Sequence, residues 1–130
     1  MKTITDAFWG LTLLREGFVK TFTNVYFEIF GRCNARCPYC VTGSRGQTRG
    51  DAIAPKLFRQ GLERLMDIEA INKKTIIAMF NWGEPFLHPG FDELMDIINA
   101  FGLPHDLSSN AGRLPEITQN FLKNLRMIAF

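Results

Sequence analysis

The apolar positions of this chain switch repeatedly between a period near two and a period near 3.6. Residues 24–30 (Asn-Val-Tyr-Phe-Glu-Ile-Phe) are β-branched and aromatic, and Gly31 bounds them. That run predicts a buried strand. Pro55 then opens a helical stretch at its favoured first position, with Phe58, Leu62, Leu65 and Met66 on one face. Residues 73–80 (Lys-Lys-Thr-Ile-Ile-Ala-Met-Phe) predict a second strand. Helical spacing returns over 91–101 at Phe91, Leu94, Met95, Ile98 and Phe101, and Gly102 stands at the stop. A third strand is expected at His105–Ser108. Pro115 opens a third helix with Ile117, Phe121, Leu122 and Leu125 on one face, and residues 126–130 read as a fourth strand. Ahead of all these, Phe8, Leu11, Leu14 and Phe18 predict a short leading helix between Thr5 and Val19, with Gly10 and Gly17 inside it.

The resulting order is β-α-β-α-β-α-β. Such alternation implies an α/β fold, a parallel sheet of about four strands joined by right-handed crossovers, with the helices outside. Residues 1–23 are then a leading extension and residues 24–130 the core domain. The chain has 130 residues, whereas a closed eight-stranded α/β barrel typically needs about 250. Half of such a barrel fits at most. The expected loops at 31–50, 81–85 and 108–112 all follow strands, at the C-terminal sheet edge where α/β proteins bind ligands.

Composition narrows the function classes. The 15 basic and 13 acidic residues leave a net charge of +2, which gives no general case for nucleic-acid binding. No apolar run approaches the roughly 18–20 residues of a membrane span, and Asp6, Arg15 and Glu16 break any reading of the N-terminus as a targeting signal. A cytoplasmic protein is expected. Twelve Phe suggest a core built on rings.

The three cysteines change the picture. Cys33, Cys37 and Cys40 have the spacing C-x3-C-x2-C, which random placement produces in roughly one arrangement in three thousand. An odd, crowded set suits a metal site better than a disulfide framework. Three thiolates on one tight loop can hold three corners of an iron–sulfur cubane and leave the fourth iron for a small chelating molecule. A zinc site is the alternative, with His88 or His105 as the fourth ligand. Between Gly31 and Gly50 lie Arg32, Arg36, Arg45 and Arg49 and no acid, a setting that favours an anionic cluster.

Two further loops carry polar groups. In Asn81-Trp82-Gly83-Glu84-Pro85, Pro85 biases Glu84 toward an extended backbone. Gly83 offers dihedrals closed to other residues and lets a ligand approach. Backbone carbonyls and a carboxylate at that position suit a ligand ammonium group. Trp82 is expected to pack in the core or loop, and His88 to sit at the start of a helix. Ser108, Ser109 and Asn110 offer hydroxyl and amide groups to a ligand, or form an ordinary Asx or Ser turn.

Taken together, Cys33, Cys37 and Cys40 with Tyr39 before the last cysteine, the Gly83-Glu84-Pro85 element and the Ser109-Asn110 pair resemble the radical S-adenosylmethionine (SAM) enzymes. The wording around the first two loops is most similar to the branch that modifies peptides, proteins or small metabolites. The resemblance implies a six-stranded partial (β/α)6 TIM-like barrel, of which this chain would carry the first part. It implies that Cys33, Cys37 and Cys40 bind a [4Fe–4S] cluster whose open iron chelates SAM. Gly83, Glu84 and Pro85 would receive the SAM ammonium. Tyr39 would place its backbone near the adenine with its ring packing the loop, and Ser109 and Asn110 would meet the ribose. One-electron cleavage of SAM would then give methionine and a 5′-deoxyadenosyl radical for hydrogen abstraction. No catalytic side chain is assigned. An electron donor such as flavodoxin or ferredoxin is the implied partner.

The chain stops at Ile128-Ala129-Phe130 without a cap or polar tail, so the expectation is an N-terminal part of a longer enzyme. The competing function is a non-catalytic α/β module that binds a partner and is stabilised by zinc or iron–sulfur. That function would tolerate change at Glu84.

Overall fold

In the computed structural model, residues 21–46 and 50–130 are described. The helix expected between Thr5 and Val19, and Arg49, lie outside them. Four strands form one parallel sheet, β1 (Asn24–Tyr26), β2 (Ile76–Ala78), β3 (His105–Ser108) and β4 (Leu125–Ala129), in the order β1-β2-β3-β4. The expected α/β class and strand count hold. The helices are α1 (Val41–Arg45), α2 (Pro55–Asp67), α3 (Phe91–Ala100) and α4 (Gln119–Leu122), with a 3-10 turn at Pro85–Leu87. Among the described residues no helix is long and apolar enough to cross a membrane.

Strand β3 and helices α2 and α3 sit where the periodicity put them, within a residue. The other elements differ for local reasons. β1 is shorter than residues 24–30 because Phe30 turns to an antiparallel bridge with Ala52, and Ile53 N–H donates to Ile29 O at 3.0 Å. β2 is shorter than residues 73–80 because Asn72 closes a turn over the two lysines. Its Oδ1 accepts from Lys74 N at 2.8 Å, and Thr75 Oγ1 accepts from Asn72 N at 3.0 Å. Such side-chain-to-backbone bonds compete with a ladder.

The third helix does not start at Pro115. It starts after Thr118, whose hydroxyl accepts from Phe121 N at 3.1 Å as an N-cap. Asn124 takes a left-handed φ of 57° and ends the helical path. Leu125 therefore belongs to β4 rather than to the helix stripe, and Phe121 is the buried member of α4.

The core lies between the sheet and helices α2 and α3. Ile29, Ile77, Met79 and Leu107 meet Phe58 and Leu62 of α2 and Leu94, Met95 and Ile98 of α3. Fully burying one such side chain contributes about 1.5–3 kcal/mol. Rings share this core with the aliphatic side chains: Phe58 is fully buried, and Phe86, Phe91 and Phe121 belong to the same cluster, their centroids 5.3–6.2 Å apart.

Candidate functional site

Parallel pairing brings the three polar loops to one end of the sheet. There a cleft of about 240 Å³ is lined by Cys33, Cys37 and Cys40, by Phe80 to Glu84, and by Ser108 to Asn110. A wider surface hollow of about 500 Å³ is lined by Gln119, Asn120, Leu122 and Lys123. It offers no thiol, imidazole or carboxylate, so the chemistry belongs to the smaller cleft.

The cysteine loop is shaped by α1, which the sequence pattern did not predict. Cys40 precedes its first turn and its carbonyl accepts from Ser44 N at 2.8 Å and Ser44 Oγ at 2.7 Å. Gly43 faces the loop so closely that a Cβ there would stand 2.7 Å from Cys37 N. The thiols of Cys33 and Cys40 are half-buried and that of Cys37 is exposed; all three are free. Cys33 Sγ accepts from Ala35 N and from Asn110 Nδ2, both at 3.4 Å. The cationic character is less than the 31–50 window implied. Arg32 binds Asp51 at 2.5 Å, just beyond that window, while Arg36 and Arg45 are exposed.

Gly83 is constrained by space. A Cβ there would lie 1.7 Å from Phe30 O and 3.0 Å from Arg32 O, and its φ is not left-handed. The expected need for unusual dihedrals is therefore replaced by close packing of this loop on the backbone that follows β1. Glu84 extends that junction, since its N–H donates to Arg32 O at 2.8 Å.

The Glu84 side chain is only 2% exposed. Its Oε1 accepts from Ser109 Oγ at 2.8 Å and Phe86 N at 3.1 Å, and its Oε2 accepts from Asn110 N at 2.8 Å. The carboxylate thus staples the second loop to the third. Ser109 Oγ also accepts from Ala111 N at 3.0 Å, so its donor and one acceptor position serve the protein. Asn110 Nδ2 donates to Asn34 Oδ1 at 2.8 Å, and Asn110 Oδ1 accepts from Gly112 N at 2.7 Å.

Seven of the nine expected site residues line the cleft: Cys33, Cys37, Cys40, Gly83, Glu84, Ser109 and Asn110. Pro85 does not line it but is buried in the 3-10 turn. The Tyr39 ring is 97% exposed, so it does not pack the loop. Trp82 is 42% exposed and lines the cleft rather than joining the core. Two residues were missed. Asn34 bridges the first and third loops through Asn110. Glu28 accepts from Trp82 N at 2.7 Å and Gly83 N at 3.2 Å. An acid alternating into an otherwise apolar strand was the available signal for Glu28.

The histidines bear on the zinc reading. His88 is buried, with Nε2 2.9 Å from Ile53 O and Nδ1 accepting from Gly90 N at 3.0 Å. It organises the start of α3, as expected for a structural role. Burial lowers its pKa, against the smaller opposing effect of the Ile53 carbonyl. His105 is fully buried at the opposite end of β3, three residues or about 10 Å before the site. Burial lowers its pKa too, against the Leu103 carbonyl and Asp106. Neither ring can complete a zinc site with the thiols. Among the described residues no three His, Cys, Asp or Glu side chains close on a point that one ion could occupy. Three thiols spread around one cleft match in type and number the Cys corners of a four-iron cluster with one position left for another ligand.

Comparison with known proteins agrees. The family model of the Radical SAM superfamily matches residues 27–130. A tungsten-containing aldehyde ferredoxin oxidoreductase cofactor-modifying protein of Pyrococcus furiosus is 32% identical over 101 residues, which cover 78% of this chain and 26% of that protein. Among solved structures, BtrN in complex with AdoMet and 2-DOIA matches with a TM-score of 0.62 at 20% identity, over 81% of this chain and 41% of that one. Streptococcus suis SuiB bound to precursor peptide SuiA matches with a TM-score of 0.63 at 16% identity, over 91% of this chain and 25% of that one. At such identities these two structures speak to the fold, a TIM-like α/β arrangement. The chain spans about a quarter of the length of the curated relative it matches.

Proposed function

Since the chain belongs to the radical SAM superfamily, whose members use a [4Fe–4S] cluster and SAM, we propose that residues 24–130 form the cluster- and SAM-binding part of an enzyme that abstracts hydrogen from its substrate. The convergence of the three free thiols, the Gly83–Glu84 loop and Asn110 on one cleft carries this reading. Bound there, the cluster and SAM together supply a 5′-deoxyadenosyl radical.

The chain's own residues have separable tasks. Cys33, Cys37 and Cys40 hold the cluster. The backbone carbonyls of the second loop receive the SAM ammonium, because the Glu84 carboxylate is buried and turned to three donors of the protein. Asn110 Oδ1 keeps one lone pair for a ribose hydroxyl after accepting from Gly112. Ser109 acts behind it by holding Glu84. Tyr39 contributes its backbone near the adenine and leaves its ring outside the loop.

Partners follow from the chemistry. A reductant is required, and an acidic carrier such as flavodoxin or ferredoxin suits the exposed Arg36 and Arg45 beside the cysteines. The substrate is a peptide, a protein or a small metabolite. BtrN and SuiB, with 2-DOIA and a precursor peptide in their respective structures, span that range.

Anaerobic reconstitution tests the proposal. The expected result is about four irons per chain and a reduced-cluster EPR signal that shifts on adding SAM. One tightly held zinc with no cluster would refute it and favour the binding module.

A further inference from the structure

Glu28 belongs to none of the three motifs, yet it reaches the second loop with both oxygens. Oε2 accepts from Trp82 N at 2.7 Å and Oε1 from Gly83 N at 3.2 Å. Two successive backbone N–H groups converging on one carboxylate form a small anion nest. The geometry has a consequence for the opposite side of the same peptides. A trans peptide is planar, with its C=O directed away from its N–H, and there are no cis bonds among the described residues. Holding the Trp82 N–H turns the Asn81 carbonyl away from Glu28. Holding the Gly83 N–H does the same to the Trp82 carbonyl. The second of these is visible directly, since Trp82 O lies 3.8 Å from Cys40 Sγ, on the cysteine side of the cleft.

We propose that Glu28 is a positioning residue, which fixes the Asn81 and Trp82 carbonyls as the acceptors for the SAM ammonium group. An ammonium carries three donors and no acceptor, so it needs carbonyls turned toward it and amide N–H groups turned away. Glu28 accomplishes both at once. It is not among the residues that line the cleft, so it acts through the loop rather than on the ligand. The close approach of Gly83 to Phe30 O holds the same loop against the backbone that carries Glu28. The inference rests on the proposed SAM site and adds a residue to it.

The test compares two ligands on the cluster-loaded protein: SAM, and its analogue lacking the α-amino group. Binding is measured by equilibrium dialysis for the wild type, Glu28→Gln and Glu28→Asp. Glutamine keeps the size of the side chain but turns a donor toward one of the two N–H groups. For Glu28→Gln, SAM binding is expected to weaken about tenfold, equivalent to about 1.4 kcal/mol. Binding of the analogue should change less than about twofold, with iron content unchanged. Glu28→Asp keeps both oxygens and should recover part of the loss. It carries the same comparison if the glutamine variant does not take up iron. Equal weakening for both ligands would show a merely structural role and overturn the inference, as would no weakening for either. A wild type that takes up the cluster and binds neither ligand would instead overturn the proposed function, and Glu28's role with it.

Discussion

Gly83→Ala tests the packing on which the whole site depends. The added Cβ would stand 1.7 Å from Phe30 O and 2.8 Å from Phe30 C. Both are backbone atoms, so no side-chain rotation relieves the contact. Reaching even a tight contact of about 3.2 Å requires the two segments to part by about 1.5 Å. That displacement stretches the Glu84 N–Arg32 O bond, now 2.8 Å, and the Trp82 and Gly83 bonds to Glu28, now 2.7 and 3.2 Å, beyond hydrogen-bonding range. One neutral bond contributes about 0.5–1.5 kcal/mol and each charged one about 1.5–3 kcal/mol. A small opposing gain of about 0.4–1 kcal/mol comes from the lower entropy of alanine in the unfolded chain. The net expectation is a loss of about 2.5–7 kcal/mol, a large part of the roughly 5–15 kcal/mol of an ordinary domain.

Urea unfolding followed by circular dichroism measures this. With a slope of about 1–3 kcal/mol/M, the midpoint should fall by about 2 M. Gly61→Ala is the internal control. Its Cβ would meet Phe27 Cε1 at 3.5 Å, an ordinary contact, inside α2, where alanine is favoured by about 0.8–1 kcal/mol. Its midpoint should rise. If both variants unfold within about 0.3 M of the wild type, the close-approach argument for Gly83 is wrong.

Polar groups of the cleft and of the core yield the remaining predictions. Glu84→Gln should destabilise by about 2–3 kcal/mol, because the amide presents a donor to one of three donors that now meet a carboxylate; an unchanged urea midpoint would count against the staple. Asn110→Ala should lower the cluster midpoint potential by on the order of 40 mV, since it removes one donor to Cys33 Sγ; an EPR-monitored redox titration that shows no shift or a rise would refute this. Stability should fall below pH 6.5. Burial lowers the pKa of both His88 and His105 in the folded protein, so the unfolded chain binds more protons as pH drops from the ordinary histidine value toward the folded ones. The contribution is complete above about pH 6.5 and is lost as pH falls toward and through the folded values. Urea midpoints at pH 7.5 and 5.5 should therefore differ, by less in His105→Phe, and a midpoint that rises on acidification would contradict the assignment.

Much of the fold was legible because the relevant signals are local. The apolar stripe of α3 from Phe91 to Ile98, the proline that opens α2 and the residues of β3 each state their own structure. The misplaced boundaries share a cause. Asn72, Thr118 and Asn124 redirect the backbone through side-chain bonds or a left-handed φ, and such residues read from sequence as generic turn formers. The short helix α1 was hidden among Gly, Ser and Arg because its anchoring comes from Cys40 O and from contact with Cys37, not from an apolar stripe. The cysteines were legible because their spacing is itself the signal. Glu28 was not, because its partners lie 54 and 55 residues away.

The sequence placed a carboxylate in the Gly-Glu-Pro loop and reasonably gave it to the ligand. A ligand-binding carboxylate and a buried staple look identical in sequence, but they predict different responses to substitution. With Oε1 and Oε2 taken by Phe86, Ser109 and Asn110, Glu84 is required for the third loop to meet the second whatever the cleft binds. A catalytic protein and a non-catalytic metal module on this fold would both suffer from its loss, so intolerance at Glu84 no longer separates them. Glu28 does separate them. Its two bonds shape carbonyls whose value depends on an ammonium arriving in the cleft, and the paired-ligand comparison at that position reads chemistry rather than folding.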